Sequence, residues 1–149
     1  MLQGLAHTIC VYAKKASGGG ADNTPAAVNW SNVSSTRVGK STSYVYSAQQ
    51  ITGISTSITL KTEFSNTALI EMYYKVQSTG TVPSSSSDPA SNGYTNIRHN
   101  GTLTVSNNEY VVFGVQSGTG VTTSSTITVK NNSDGNATLD TFTATKTIP

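Results

Sequence analysis

The stretch "SITLKTEF", residues 57–64, alternates with a period of two: Ile58, Leu60 and Phe64 fall on one side with Thr62 between them, Lys61 and Glu63 on the other. Successive side chains of a strand point to opposite faces, so the pattern predicts a half-buried β-strand. "LIEMYYKV", residues 69–76, repeats it, with Ile70, Met72, Tyr74 and Val76 opposed to Leu69, Glu71, Tyr73 and Lys75. Further strands are predicted at 44–51, 102–105, 110–116, 126–130 and 138–146, punctuated by NG, SG and DG turn signals. The last two flank "NNSDGNA", a tight reversal in which Gly135 takes positive φ. No helix longer than a turn is predicted. Short strands at regular spacing predict an all-β fold, specifically an antiparallel β-sandwich.

Two segments interrupt this rhythm. "ASGGGADNTP", residues 16–25, combines a glycine triplet with Asn and Pro and predicts a flexible joint, which divides the chain into an N-terminal arm and joint, 1–25, and a body, 26–149. In the arm, Ile9, Val11 and Ala13 alternate with Thr8, Cys10 and Tyr12, a pattern suited to strand addition at an offered edge or to a first strand of the body itself. "STGTVPSSSSDPASNG", residues 78–93, is longer than ordinary connections and reads as a mobile surface excursion, or as a tip that meets a partner. Trp30 lies before the first predicted strand and is expected to anchor the joint to the body by packing.

"EYVVFGV", residues 109–115, is apolar on both sides: Tyr110 and Val112 point one way, Val111, Phe113 and Val115 the other. One set fills the core, and the other needs cover from a loop, the arm or another protein. The expected interface residues are therefore Val111, Phe113 and Val115 in this strand, with Leu2, Leu5, Ile9, Val11 and Tyr12 in the arm. Tyr44, Tyr46, Tyr73 and Tyr94 are expected to be exposed, as a contact surface or a sugar platform.

Composition narrows the chemistry. Only 11% of the 149 residues are charged, against roughly a quarter in an ordinary soluble domain, while Ser and Thr fill roughly 30% of positions. Hydroxyls replace charges, which suits lasting contact better than electrostatic steering. The formal charge is +2 and the basic residues are dispersed, so no nucleic-acid partner is expected. The one cysteine, Cys10, excludes an intrachain disulfide. The opening residues place their lysines after the apolar stretch, the wrong order for a signal peptide, and no run approaches the roughly 20 apolar residues of a membrane helix, so no membrane partner is expected and the chain should be soluble.

Individual motifs fare poorly. "RVGKST" has Ser34 where a phosphate loop has its first glycine, and a strand pattern follows where a helix is needed. His7, Cys10 and His99 are too few for a zinc cage. Asn132, Asp134 and Asn136 resemble part of a calcium loop without its later acidic ligand, and read as a turn. G-x-S-x-G is missing and the seven acidic residues are dispersed, so neither catalysis nor a cofactor is expected. N-x-[ST] occurs at Asn29, Asn32, Asn100, Asn131 and Asn136, no more than chance supplies in so hydroxylated a chain.

"QQITGISTSITLKTEF", "NGTLTVSNNEYVVFGV" and "STITVKNNSDGNATLDTFTAT" together resemble the Ig-like modules of accessory virion proteins of tailed bacteriophages, over about residues 44–147. Asn108 and Tyr110 are similar in placement to a tyrosine corner. The paired cysteines and the third-strand tryptophan of antibody-type domains are missing. The resemblance implies an Ig-like sandwich with an extended arm, acting as a capsid decoration or cement protein on the outer surface of the virion after synthesis in the host cytoplasm. The implied partners are the major capsid protein or another virion protein, and further copies in a homo-oligomer, a trimer at lattice symmetry positions. A tail, collar or fibre component and a carbohydrate-binding adhesin are the alternatives. The starting methionine and short length favour an independent subunit.

Overall fold

The computed structural model describes residues 28–38, 43–67, 71–84, 88–118 and 122–147. These form nine strands: β1 (Asn29–Val38), β2 (Ser43–Thr52), β3 (Ser57–Phe64), β4 (Met72–Gln77), β5 (Thr95–Ile97), β6 (Thr102–Ser106), β7 (Tyr110–Ser117), β8 (Thr122–Asn131) and β9 (Ala137–Thr147). The protein is all-β. Among the described residues the helical content is one 3-10 turn, Ala90–Asn92.

The nine strands form one mixed sheet built from two antiparallel ladders. One runs β1-β2-β7-β4-β5 and the other β9-β8-β3-β6. They meet at a single parallel pair, Ser117 opposite Thr145, where the Gly118 N–H donates to the Thr145 carbonyl at 2.7 Å. Thr145 Oγ1 returns a bond to the Gly118 carbonyl at 3.1 Å. These bonds satisfy backbone groups at the corner where β4 has ended and β7 would otherwise be left open.

Alternation sets the core. In β3 every second residue, Ile58, Leu60, Thr62 and Phe64, is buried, as the pattern predicts, and Thr62 answers its burial by donating to the Arg98 carbonyl at 2.8 Å. On the opposite face Glu63 pairs with Lys130 at 3.0 Å and Lys61 at 3.8 Å. The inward rows of both ladders supply one cluster: Ile51, Met72, Val111, Phe113 and Val115 from the first, Ile58, Leu60, Leu103, Val105, Ile127, Val129 and Ala144 from the second. Fully burying each such side chain contributes roughly 1.5–3 kcal/mol.

Sequence reading misses β1. It extends from residue 29 to 38 and pairs with β2 along its length, with Val33 as an extra residue between the pairs Asn32–Gln49 and Ser34–Ala48. That bulge breaks the period of two on which strand prediction relies. Trp30 therefore sits on a strand, not ahead of one. It does pack: its ring lies 6.4 Å from that of Phe113, and its indole N–H donates to Asp140 Oδ2 at 2.9 Å. The bond ties the edge strand of one ladder to β9 of the other. The three-residue β5 also escapes the pattern, being too short to alternate.

The closing hairpin is as expected. Gly135 lies at φ 59° and Asn136 at φ 60°, and the Asn136 N–H closes the turn on the Asn131 carbonyl at 3.0 Å. The Asn131 side chain accepts from the Ser133 N–H at 3.0 Å, so this amide braces the turn from within.

Candidate functional site

The outward face of the β2-β7-β4 ladder is where the molecule departs most from an ordinary sheet surface. Cross-strand ranks place Tyr46, Gly114 and Tyr73 side by side, and Ala48, Val112 and Lys75 in the next rank. Gly114 makes the first rank possible: a Cβ there would stand 2.7 Å from Tyr46 Cε1. The missing side chain lets the Tyr46 ring lie flat across β7. Tyr46 meets Tyr94 edge-on at 5.3 Å, and Tyr44 meets Tyr73 edge-on at 5.8 Å, geometries the aromatic quadrupole favours.

The cover comes from the segment predicted to be a free excursion. Residues 78–84 and 88–94 return across this face, with Pro89 buried, Val82 packed against the tyrosines and Tyr94 only 7% exposed. The 3-10 turn fixes the return: Asp88 and Pro89 carbonyls accept from the Ser91 and Asn92 N–H groups at 3.0 Å each, and Gly93 leaves at φ 79°. Tyr44 and Tyr46, at 5% and 0% exposure, are buried beneath, and Tyr73 is half-buried. The expected platform of exposed tyrosines is therefore corrected. A phenol is large and largely apolar, and covering it gains more than leaving it wet, provided its hydroxyl is answered.

The hydroxyls are answered unequally. Tyr44 donates to Glu71 Oε2 at 3.1 Å. The Tyr46 hydroxyl is buried and has no hydrogen-bond partner among the described residues. Burial pushes the Tyr94 hydroxyl up to about 12. Burial first, then the nearby carboxylate of Glu71, raises Tyr44 further, and burial with the neighbouring Tyr94 does the same for Tyr46. All three stay neutral well beyond ordinary pH.

At the margin of this cluster lies an open cleft of about 220 Å³ between β4 and the returning loop. Lys75 and Gln77 line it from the strand, Val82 and Pro83 from the loop, Asn92 and Tyr94 from the far wall. Lys75 Nζ donates to the Asn92 carbonyl at 3.4 Å and stands 5.7 Å from the centre of the Tyr94 ring. An alternating pattern does not say which loop will fold over which face, so the cleft is scarcely legible in the sequence. The Val82-Pro83 step, the apolar break in a Ser-rich run, is the one available sign.

The expected interface residues fall into two groups. Leu2, Leu5, Ile9, Val11 and Tyr12 lie outside the described residues, as do His7 and Cys10. Val111, Phe113 and Val115 are 0%, 0% and 4% exposed, inside the core shared by the two ladders, so in this fold the chain's own packing occupies them. On the opposite face of the same strand Val112 is buried in the cluster against which Val82 of the loop packs. His99 accepts from the Phe64 N–H at 2.9 Å through Nδ1. Among the described residues no group of three or more His, Cys, Asp or Glu side chains could hold a metal ion, and no helix is long and apolar enough to cross a membrane. The turn before β7 is held by Glu109, whose carboxylate accepts from the Ser106 N–H at 2.8 Å, and by the Asn108 N–H on the Ile51 carbonyl at 2.8 Å.

No protein-family model matches this sequence, and no curated protein is significantly similar to it.

Proposed function

We propose that this protein is a non-enzymatic adhesion subunit of a larger particle, a capsid decoration or cement protein that stabilises the head shell of a tailed phage. The observation that carries the reading is the order of strand pairing. Ig-type domains place strands A, B, E and D in one layer and C, F and G in the other. Here β1-β2-β7-β4 and β9-β8-β3 follow that order if β1 is A, β2 is B, β3 is C, β4 is D, β7 is E, β8 is F and β9 is G. On this reading the two ladders are the layers of a sandwich, with β5 and β6 as additions at the edges. On the same reading the Trp30–Asp140 hydrogen bond links the two layers.

Support for a binding role comes from the low-charge, hydroxyl-rich surface and from the 27 residues that precede the described body, whose alternation at 8–13 suits strand addition to a partner. The arm grips the shell, contacting the major capsid protein, while the body stands outside and self-associates around a lattice symmetry axis. Deleting residues 1–20 is expected to abolish binding to particles while the body keeps its β-rich circular dichroism and its unfolding midpoint. Retained particle binding by the truncated chain overturns the role of the arm, and imaging that places the protein on tail, collar or fibre overturns the head assignment.

A further inference from the structure

The cleft between β4 and the returning loop has a donor and acceptor arrangement that selects a ligand. Lys75 is its cation. Among the described residues the ion pairs are Lys61–Glu63 and Lys130–Glu63, and neither uses Lys75. Among the described residues its ammonium, with three hydrogens, contacts the neutral Asn92 carbonyl and the Tyr94 ring. The two amides are oriented by the protein. Gln77 Nε2 spends both hydrogens on the Thr79 and Thr81 carbonyls, at 2.8 and 2.7 Å, and Asn92 Nδ2 reaches the Asp88 carbonyl at 3.5 Å. Each amide therefore turns its nitrogen into the loop and keeps its oxygen as an acceptor. Val82, Pro83 and Tyr94 give the remaining wall an apolar surface.

We infer that this cleft binds one acidic sugar unit, a uronic-acid-type ring whose carboxylate meets Lys75, whose hydroxyls donate to Gln77 Oε1 and Asn92 Oδ1, and whose C–H face rests on Val82 and Pro83. At about 220 Å³ the cleft is smaller than the roughly 300–1,000 Å³ of drug-sized sites, which suits a single ring. One lysine balances one negative charge, so a carboxylate fits better than a doubly charged phosphate. A cationic ligand is repelled by Lys75, and an apolar one leaves the amide oxygens without donors. The site is independent of the shell-binding proposal, since none of its residues lies in the arm.

The full-length protein is titrated with D-glucuronate, D-glucose and acetate while the side-chain amide resonances of Gln77 and Asn92 are followed by NMR. Glucuronate is expected to shift both resonances saturably in the millimolar range. Glucose should bind at least roughly tenfold more weakly, the cost of about one charge-assisted hydrogen bond. Acetate should leave the two amides unmoved. Lys75→Gln should weaken glucuronate binding by roughly the same factor, Lys75→Arg should retain it, and Thr81→Glu should abolish it by placing a carboxylate on the cleft wall while leaving the Thr81 carbonyl bonded to Gln77. Equal affinity for glucose, an equal response to acetate, or no saturable shift with glucuronate overturns the proposal. If Lys75→Gln changes the β-rich circular dichroism, the Lys75→Arg and Thr81→Glu pair decides it.

Discussion

The cluster shared by the two ladders and the cluster beneath the loop are both closed to solvent, but by different chemistry. The first is aliphatic and phenylalanine-rich, filled from strands that alternate cleanly. The second is built from Tyr44, Tyr46, Tyr73 and Tyr94 over Ala48, Val112 and Gly114, with a Ser- and Pro-rich loop as its lid. Each phenol brings apolar area and a hydroxyl that demands a partner. The shared core is stabilised mainly by burial. The tyrosine cluster is stabilised by burial and weakened wherever a hydroxyl goes unanswered, so this is the region that should respond to alkali.

Alkali tests that contrast with the largest effect. Unfolded phenols ionise near 10.0, whereas buried Tyr94 holds its proton to about 12, and Tyr44 and Tyr46 hold theirs longer. Above pH 10 the native state therefore binds more protons than the unfolded state, and stability falls as pH rises. Below pH 10 the contribution of these groups is fully present. Each neutral tyrosine costs about 1.4 kcal/mol per pH unit in this window, so three cost about 4 kcal/mol per unit, enough to unfold a domain of ordinary stability. Urea midpoints measured between pH 8 and 12 should be level to pH 10 and then drop steeply, with the share of tyrosinate absorbance that belongs to Tyr44, Tyr46 and Tyr94, three of the seven tyrosines, appearing only as the fold is lost. Ionisation of all seven with the fold intact contradicts the burial of these rings.

Phe113→Ala strikes the other region. Phe113 is fully buried, and its ring lies 6.4 Å from that of Trp30 and 5.6 Å from that of Phe142, so its loss opens a cavity where three aromatic side chains from both ladders meet. A loss of about 3–5 kcal/mol is expected from chemical denaturation at neutral pH. The steep fall above pH 10 should persist in this variant, because the tyrosines are untouched.

What the sequence makes legible follows the same division. Ile58, Leu60, Thr62 and Phe64 are readable because one face of β3 is buried and the other wet, and the closing hairpin is readable because its turn needs Gly135 at positive φ. β2 and β7 are buried on both faces, and there alternation carries no information about direction. Tyrosine hides the answer further, since its amphipathic ring fits a wet surface as well as a covered one. That is why the pattern alone offers Val111, Phe113 and Val115 as a contact surface and the tyrosines as exposed. The cleft at Lys75 depends on where the loop lands, which is a tertiary event that no local pattern encodes.

Gly114→Ala should distinguish a tight fit from a loose lid. The added carbon would meet Tyr46 Cε1 at 2.7 Å, and a fully buried ring has nowhere to go. Overpacking of this kind costs about 1–3 kcal/mol. The cost should shrink in a Tyr46→Ala background, because the clash is with the ring itself, and a double-mutant cycle measures that coupling. Simple additivity of the two substitutions indicates that the ring moves aside freely.

Tyr46→Phe carries the smallest expected effect and the most discriminating sign. Removing a hydroxyl that is hydrogen-bonded in the native state usually costs about 1 kcal/mol, whereas removing one that is buried without a partner relieves a desolvation penalty of similar size. Tyr46 is 0% exposed and its hydroxyl has no partner among the described residues, while the ring contacts with Tyr94 and Gly114 are made by carbon atoms that phenylalanine keeps. The variant should therefore be as stable as the parent or up to about 1 kcal/mol more so at neutral pH. It should also soften the decline above pH 10 by about one third, since one of the three buried phenols no longer distinguishes the folded from the unfolded chain. A loss of stability at neutral pH would mean that the Tyr46 hydroxyl is bonded in solution, and that the lid closes over a polar contact instead of an orphan.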